Sequence, residues 1–368
     1  MSNSFNSAMK ILCVIDSLGS GGAQRQLVNL AVGFKEKGHD VSFLVYHSIN
    51  FFKEVLDEND IPVHEIIEPN YLKRLFKMRR YIRCGDYDSV LSFLEAANFI
   101  CEIAGLPWRK WKLVVGERSA NPAILKSFKL RAYRWFHIFA DHVVANSYEN
   151  FKMVRQINPL LPNKKCHVIY NIVDFENWKP AKNYAHFKNN KLRIVIAASH
   201  RYQKNLKGLV KAVNLLSPEE KNRLEIFWYG ESNHDNSKFD SQQIIDKYGL
   251  NIIFSFFKPT LNIHEKVQKA DAVGLFSLYE GLPNTVCEGM AAGKPVIASR
   301  VSDVPLLISN NNLLSNPLSI DSIAKSLKYL LQFTLVDLTV EGNRNRLKAA
   351  SLFNKENIVS NYLNLFSK

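Results

Sequence analysis

FSLYEGLPNTVCEGMAAGKPVIAS, residues Phe276 to Ser299, reads as a strand, a tight turn, a short helix and a second strand. Glu280 closes the first strand, Gly281 to Asn284 turn the chain, Thr285 to Ala292 form the helix, and Gly293 stops it before the strand that Pro295 opens. That order is one unit of a parallel sheet covered by helices. Two carboxylates, Glu280 and Glu288, flank the helix start. Carboxylates there suit sugar and ribose hydroxyls, while the first helical amides suit phosphates. The apolar neighbours Val286, Met290 and Ala291 predict a buried helix, so the charge of Glu288 needs partners.

The same alternation extends in both directions. Toward the carboxyl half, strands are predicted at Leu192 to Ala198, Leu224 to Tyr229, Ile252 to Phe256, Ala272 to Phe276 and Pro295 to Ser299, with a helix over Leu206 to Leu216. Toward the amino end, Lys10 to Leu18 reads as a buried strand, Gly19 to Gly22 as a turn, Ala23 to Lys37 as an amphipathic helix and Val41 to Tyr46 as the next strand. Further strands fall at Ser89 to Phe93, Lys112 to Gly116, His142 to Ala145 and Cys166 to Tyr170. The polar segment Asn177 to Asn190 reads as a linker, and Asn310 to Asn316 as a surface loop. A chain of 368 residues suits two such domains, with the ends of their parallel strands as the places for a ligand.

Composition narrows the partners. The 48 Lys and Arg against 34 Asp and Glu leave a formal charge of +14, which favours anions. No helix-turn-helix, zinc finger or stacking sheet organises those charges, so nucleic acid is not an expected partner. Five scattered cysteines without a CxxC pair point to a reducing compartment, and no His, Cys and Asp cluster has metal-ligand spacing. The amino terminus reads as neither signal peptide nor spanning helix, and no later apolar run reaches about 18 residues. A cytoplasmic protein is expected, with any membrane contact peripheral at the inner face.

Glu280 and Glu288 with GLPNTVC between them, followed by GMAAGKPVIAS, resemble the signature of retaining glycosyltransferases of the type B fold, the group called family four. GGAQRQLVNLA resembles that family's first glycine loop and helix; ADHVVANS (Ala140 to Ser147) and VIYNIVD (Val168 to Asp174) resemble the strands closing its first domain. The resemblance spans nearly the whole chain. It implies two Rossmann-like domains facing a central cleft: an acceptor-side domain over 1–180, a nucleotide-sugar domain over 181–349, and a final segment, 350–368, that crosses back onto the first domain.

The resemblance also implies site roles. Glu280 would meet the hydroxyls of the transferred sugar, Glu288 those of the ribose, and Gly281, Leu282, Pro283, Asn284 and Thr285 would line the diphosphate. Gly21 and Gly22 offer a further glycine turn to the donor, although GSGGAQRQ is not the GxGxxG fingerprint. In AASHRYQKN, Ala197 to Asn205, Lys204 fits the family's phosphate lysine. Ser199 occupies the usual arginine position, and Arg201 is the substitute cation. Two cations answer the charge developing on a leaving diphosphate. Gly230, Glu231, Phe257 and Lys258 are candidate walls of a nucleoside pocket, or fixtures of the fold. The family's acceptor-side histidine is replaced by VVGERSANP, which offers Glu117, Arg118 and Ser119 to the acceptor; Glu117 and Arg118 bind acceptor hydroxyls or phosphate, or form only an ion pair. His200 is a further acceptor-side candidate.

The implied reaction moves a hexose or N-acetylhexosamine from a UDP-sugar, with retention and without a required cofactor or metal. The acceptor stays open between a lipid-linked saccharide and a growing polysaccharide. YLKRLFKMRRYIR (Tyr71 to Arg83) and FKLRAYRWFHIF (Phe128 to Phe139) mix basic and apolar residues as helices on an anionic membrane do, and also as ordinary sheet-covering helices do. A sugar phosphorylase, a nucleotide-sugar epimerase, and a non-catalytic nucleotide-sugar or nucleic-acid binding protein are the competing readings.

Overall fold

The computed structural model describes residues 8–181, 190–232 and 235–367. Within the expected linker, residues 182–189 lie outside the described residues. The chain divides into two compact units, one running to Ile172 and resuming at Lys355, the other spanning Val173–Asn354. The divide therefore precedes the expected 180/181 boundary. Trp178 is buried, and Arg346 donates to its carbonyl oxygen at 3.1 Å, which ties this segment to the second unit.

The first unit alternates β1 (Lys10–Val14), α1 (Gly22–Glu36), β2 (Asp40–Val45), α2 (Lys53–Glu58), β3 (Val63–Glu65), α3 (Tyr71–Cys84), β4 (Ser89–Phe93), α4 (Glu95–Ala104) and β5 (Lys112–Glu117). It continues with α5 (Ala123–Lys126), α6 (Phe128–Phe136), β6 (His142–Ala145), α7 (Tyr148–Ile157) and β7 (Cys166–Val168). The seven strands lie parallel in the order β3-β2-β1-β4-β5-β6-β7. Apolar side chains fill both faces, as a parallel sheet requires.

The closing helix, Lys355–Ser367, joins one of those faces through Ile358, Val359, Tyr362, Leu365 and Phe366, spaced as one side of a helix. Tyr362 and Phe366 meet Phe34 edge-on at 6.4 and 5.5 Å. Gly33 of α1 admits this approach, since a Cβ there would run into Val359.

The second unit comprises β8 (Leu192–Ala197), α8 (Leu206–Asn214), α9 (Pro218–Asn222), β9 (Leu224–Tyr229), α10 (Ser237–Tyr248), β10 (Phe254–Phe257), α11 (Ile263–Gln268) and β11 (Ala272–Leu275). α12 (Asn284–Ala291), β12 (Val296–Ser299), α13 (Val304–Leu307), β13 (Leu314–Ser315), α14 (Ile320–Leu331) and α15 (Leu335–Leu352) complete it. Its strand order is β10-β9-β8-β11-β12-β13. The asparagine-rich stretch expected to be a surface loop instead contributes β13, because Leu313, Leu314 and Ser315 are buried against β12. In each sheet the chain runs outward from a central pair, β1 with β4 and β8 with β11. The carboxyl ends of those pairs are the topological switch points where open α/β sheets take ligands.

Candidate active site

At the β8/β11 switch point the structure brings two loops together. After β8, the turn Tyr202–Lys204 ends at Asn205, whose φ of 57° is left-handed and whose side chain accepts from Gly208 N to cap α8. This places Lys204 Nζ 2.5 Å from Glu280 Oε1, with the two side chains 20% and 11% exposed. Gln203 laces the same loops: its Nε2 donates to Tyr279 O at 2.7 Å and to Glu280 Oε2 at 3.4 Å, while its carbonyl oxygen accepts from Leu278 N. The carboxylate of Glu280 is thus held from both oxygens at the site's mouth.

Gly281, Leu282 and Pro283 lead into α12, which no side chain caps at its N-terminus. An uncapped first turn directs its amides toward an anion. Thr285 spends its hydroxyl inside the protein, donating to Ala197 O at 2.8 Å and so fastening α12 to the end of β8. Its backbone remains part of the helix start. Glu288 lies one turn further on and is buried. Arg201 stands on the exposed side of the same β8 loop.

The nucleoside candidates divide. Gly230 has a reason in the fold: a Cβ there would collide with the Ala198 carbonyl oxygen, which also accepts from Trp228 Nε1 at 2.6 Å. Phe257 is exposed and stacks on Tyr229 at 4.8 Å and 18°, forming a flat aromatic face at the ends of β9 and β10 beside exposed Lys258 and Glu231. Sequence reasoning missed Tyr229 and Gln203. Tyr229 closes the expected strand Leu224 to Tyr229, whereas nothing local marked Gln203.

His200 departs from its expected acceptor role. It is 1% exposed, stacked on Trp228 at 5.3 Å and edge-on to Phe256, and burial together with the Lys238 charge lowers its pKa to about 4. It is a neutral interior ring of the second unit.

The other candidates belong to the first unit. Gly21 precedes α1 in extended backbone and Gly22 opens the helix, again without a side-chain cap. Glu117, expected at the acceptor or paired with Arg118, does neither. Its carboxylate accepts from Arg134 Nη2 at 2.6 Å and meets His137 Nε2 at 2.9 Å, and it is almost fully buried. Burial pushes this carboxyl upward, but Arg134 and His137 outweigh it and hold it below its usual range. Arg118 packs its guanidinium 3.7 Å from the Phe93 ring centre and donates to Asn171 and the Tyr362 hydroxyl, joining the closing helix to β5. Ser119 follows, half-buried. Among the described residues no group of three or more His, Cys, Asp and Glu could hold a metal. No described helix is long and apolar enough to cross a membrane.

Comparison with known proteins identifies this architecture. Residues 20–177 match the family model Glycosyltransferase Family 4, and residues 179–345 match Glycosyl transferases group 1. A Campylobacter jejuni α-1,4-N-acetyl-D-galactosaminyltransferase, named for GalNAc-α-(1→4)-GalNAc-α-(1→3)-diNAcBac-PP-undecaprenol, is 27% identical over 299 residues, 77% of each chain. The Anabaena protein HepE, solved in complex with UDP, superposes with a TM-score of 0.85 at 19% identity, covering 98% of this chain and 100% of that one. A glycosyltransferase from Rickettsia africae superposes at 0.81 with 20% identity over 98% of both chains. These last two likenesses are of fold. Two matched halves in the family's order, on two Rossmann-like sheets with the paired glutamates at a switch point, show that the chain belongs to the family 4 glycosyltransferases of type B fold.

Proposed function

We propose that the protein transfers a hexose or N-acetylhexosamine, with retention, from a UDP-sugar to a hydroxyl of a lipid-linked saccharide. The observation that carries this reading is the Lys204–Glu280 pair at the β8/β11 switch point, beside the uncapped start of α12 and buried Glu288. Glu280 accepts hydroxyl bonds from the transferred sugar, Glu288 from the ribose, and the α12 amides with Lys204 and Arg201 take the diphosphate charge. The bond from the anomeric carbon to the phosphate oxygen breaks as the acceptor oxygen attacks the same face. The acceptor proton passes to the departing phosphate oxygen, so no nucleophile from the protein is needed. The cations and amides stabilise the diphosphate most as its charge grows. UDP accompanies the same fold in HepE, and the Campylobacter relative is named for an undecaprenol-diphosphate saccharide; both support the choice of donor and acceptor class.

The test is a nucleotide-sugar panel with a prenyl-diphosphate-linked N-acetylhexosamine acceptor, with and without chelator, and the product's anomeric configuration read by NMR. Transfer from a UDP-sugar with retained configuration and no metal requirement is expected. Exclusive use of a GDP-sugar rejects the base, strict metal dependence rejects the metal-free step, and inversion rejects the stereochemistry. Phosphate-dependent sugar phosphate formation, or donor isomerisation without acceptor, would instead identify a phosphorylase or an epimerase.

A further inference from the structure

The first sheet has its own switch point, and a partly exposed carboxylate there is assigned no part in the donor chemistry. Val14 of β1 lies opposite Ser92 of β4, so the chain leaving both strands rises at one level to Asp16 on one side and Leu94 and Glu95 on the other. Leu94 has φ 77° and ψ 150°, a conformation that leucine keeps only where the surroundings impose it. Such residues cluster at ligand sites. Its effect here is to turn the chain sharply from β4 into α4 and to set Glu95 in that helix's first turn, where the helix dipole favours a carboxylate.

Glu95 borders a buried ionic set. His137 lies between Glu102 at 2.6 Å and Glu117 at 2.9 Å, and those carboxylates overcome burial to keep its imidazole protonated. Arg134 gives its short bond to Glu117. Arg134 and His137 thus face Glu117, held below its usual range, and Glu102, whose carboxyl burial pushes upward. Glu95 is a third carboxylate, reached by Arg134 only at 3.4 Å, and its side chain is 25% exposed where Arg134, His137, Glu102 and Glu117 are at most 3%. One oxygen, Oε1, is held by the buried cation, and among the described residues the other has no protein donor. Asp16 across the switch point has an oxygen already engaged, by Ser17 N and Gln24 Nε2.

We propose that Glu95 is the acceptor-recognition residue of the first unit, its outward carboxylate oxygen accepting a hydroxyl hydrogen bond from the saccharide that is to be extended. A carboxylate anchored on one oxygen and open on the other loses little freedom when a hydroxyl arrives, and it discriminates against a sugar lacking that hydroxyl. The inference rests on the glycosyl-transfer reading above.

The test uses the full chain and two probes, UDP by calorimetry and free N-acetylgalactosamine disaccharide by saturation-transfer NMR, supplemented by acceptor KM where turnover is measurable. Glu95→Ala is expected to weaken saccharide binding about tenfold to a hundredfold, while Glu95→Gln, which keeps the volume and one acceptor oxygen, falls between it and the parent. Both variants should retain the parent's affinity for UDP. Saccharide affinity within about twofold of the parent in both variants overturns the proposal. So does a loss of UDP affinity in Glu95→Gln with saccharide binding intact. A parent that binds UDP but no saccharide overturns this inference alone; one that binds neither overturns the donor reading as well.

Discussion

Glu280 and Glu288 are chemically alike and should fail differently when neutralised. Glu280→Gln keeps the shape beside Lys204 but removes the charge at the transferred sugar, so turnover should fall while calorimetry with UDP alone, which carries no sugar, gives nearly the parent's affinity. Glu288→Gln should weaken UDP itself. A charge-assisted hydrogen bond is worth about 1.5 to 3 kcal/mol, so each loss should be about tenfold to a hundredfold. The reverse pattern in folded proteins would show that the two roles are exchanged. Lys204→Met should depress both quantities, since it removes the proposed phosphate cation and leaves Glu280 without its 2.5 Å partner. The placement of Glu280 and Glu288 about a helix start was legible because both lie along one strand, turn and helix. Gln203 was not, since its partners lie more than 70 positions away. Glu117 was misread because its partners, Arg134 and His137, come from α6 and the turn that ends it, a placement no local pattern reveals.

At the scale of elements, His137 is the bolt joining α4, β5 and the end of α6 through Glu102 and Glu117. Burial would lower its pKa, but the two carboxylates raise it to about 9 from an ordinary 6.5. A group raised on folding stabilises fully below its unfolded pKa and loses that contribution as pH rises through the folded value. The parent's unfolding free energy should therefore decline between neutral pH and pH of about 9 to 10, and His137→Gln should start lower, by about 3 kcal/mol, and lack that decline. An equal slope in both proteins would remove His137 as the cause. In the second unit α15 packs on α12 so closely that a Cβ at Gly342 would strike the Gly293 carbonyl oxygen. Gly342→Ala should cost about 1 to 3 kcal/mol, read by denaturant unfolding, and a neutral result would mean the helices can separate freely. Most strands were legible from apolar runs punctuated by glycine and proline. β3 and β13, of three and two residues, were not. Edge strands that short carry too few side chains for a period to show, and burial of Leu313 and Leu314 depends on neighbours distant in sequence.

The molecule as a whole carries +14, and two helices of its first unit combine exposed basic and apolar side chains. α3 leaves Leu72 and Phe76 exposed, and α6 leaves Phe128 and Trp135 exposed. Lys73, Lys77, Arg80, Lys129 and Arg131 are exposed on the same two helices. Neither helix can span a bilayer, so any attachment here is peripheral. Each basic residue near an anionic surface is worth about 1 kcal/mol and is screened within a Debye length, whereas an inserted ring is insensitive to salt. A polysaccharide acceptor in solution would need neither; a lipid-linked acceptor makes both useful. Flotation with phosphatidylcholine vesicles should therefore rise as phosphatidylglycerol is added and fall again with salt, leaving a residue of binding that the double variant Phe76→Ser, Phe128→Ser abolishes without changing UDP affinity. Because transferring an aromatic side chain out of water is worth about 1.5 to 3 kcal/mol, the double variant should lose at least about tenfold in partition. Binding that depends on salt but ignores both phenylalanines would reduce the surface to a general attraction for anions, and failure to bind either vesicle would remove the membrane from the account.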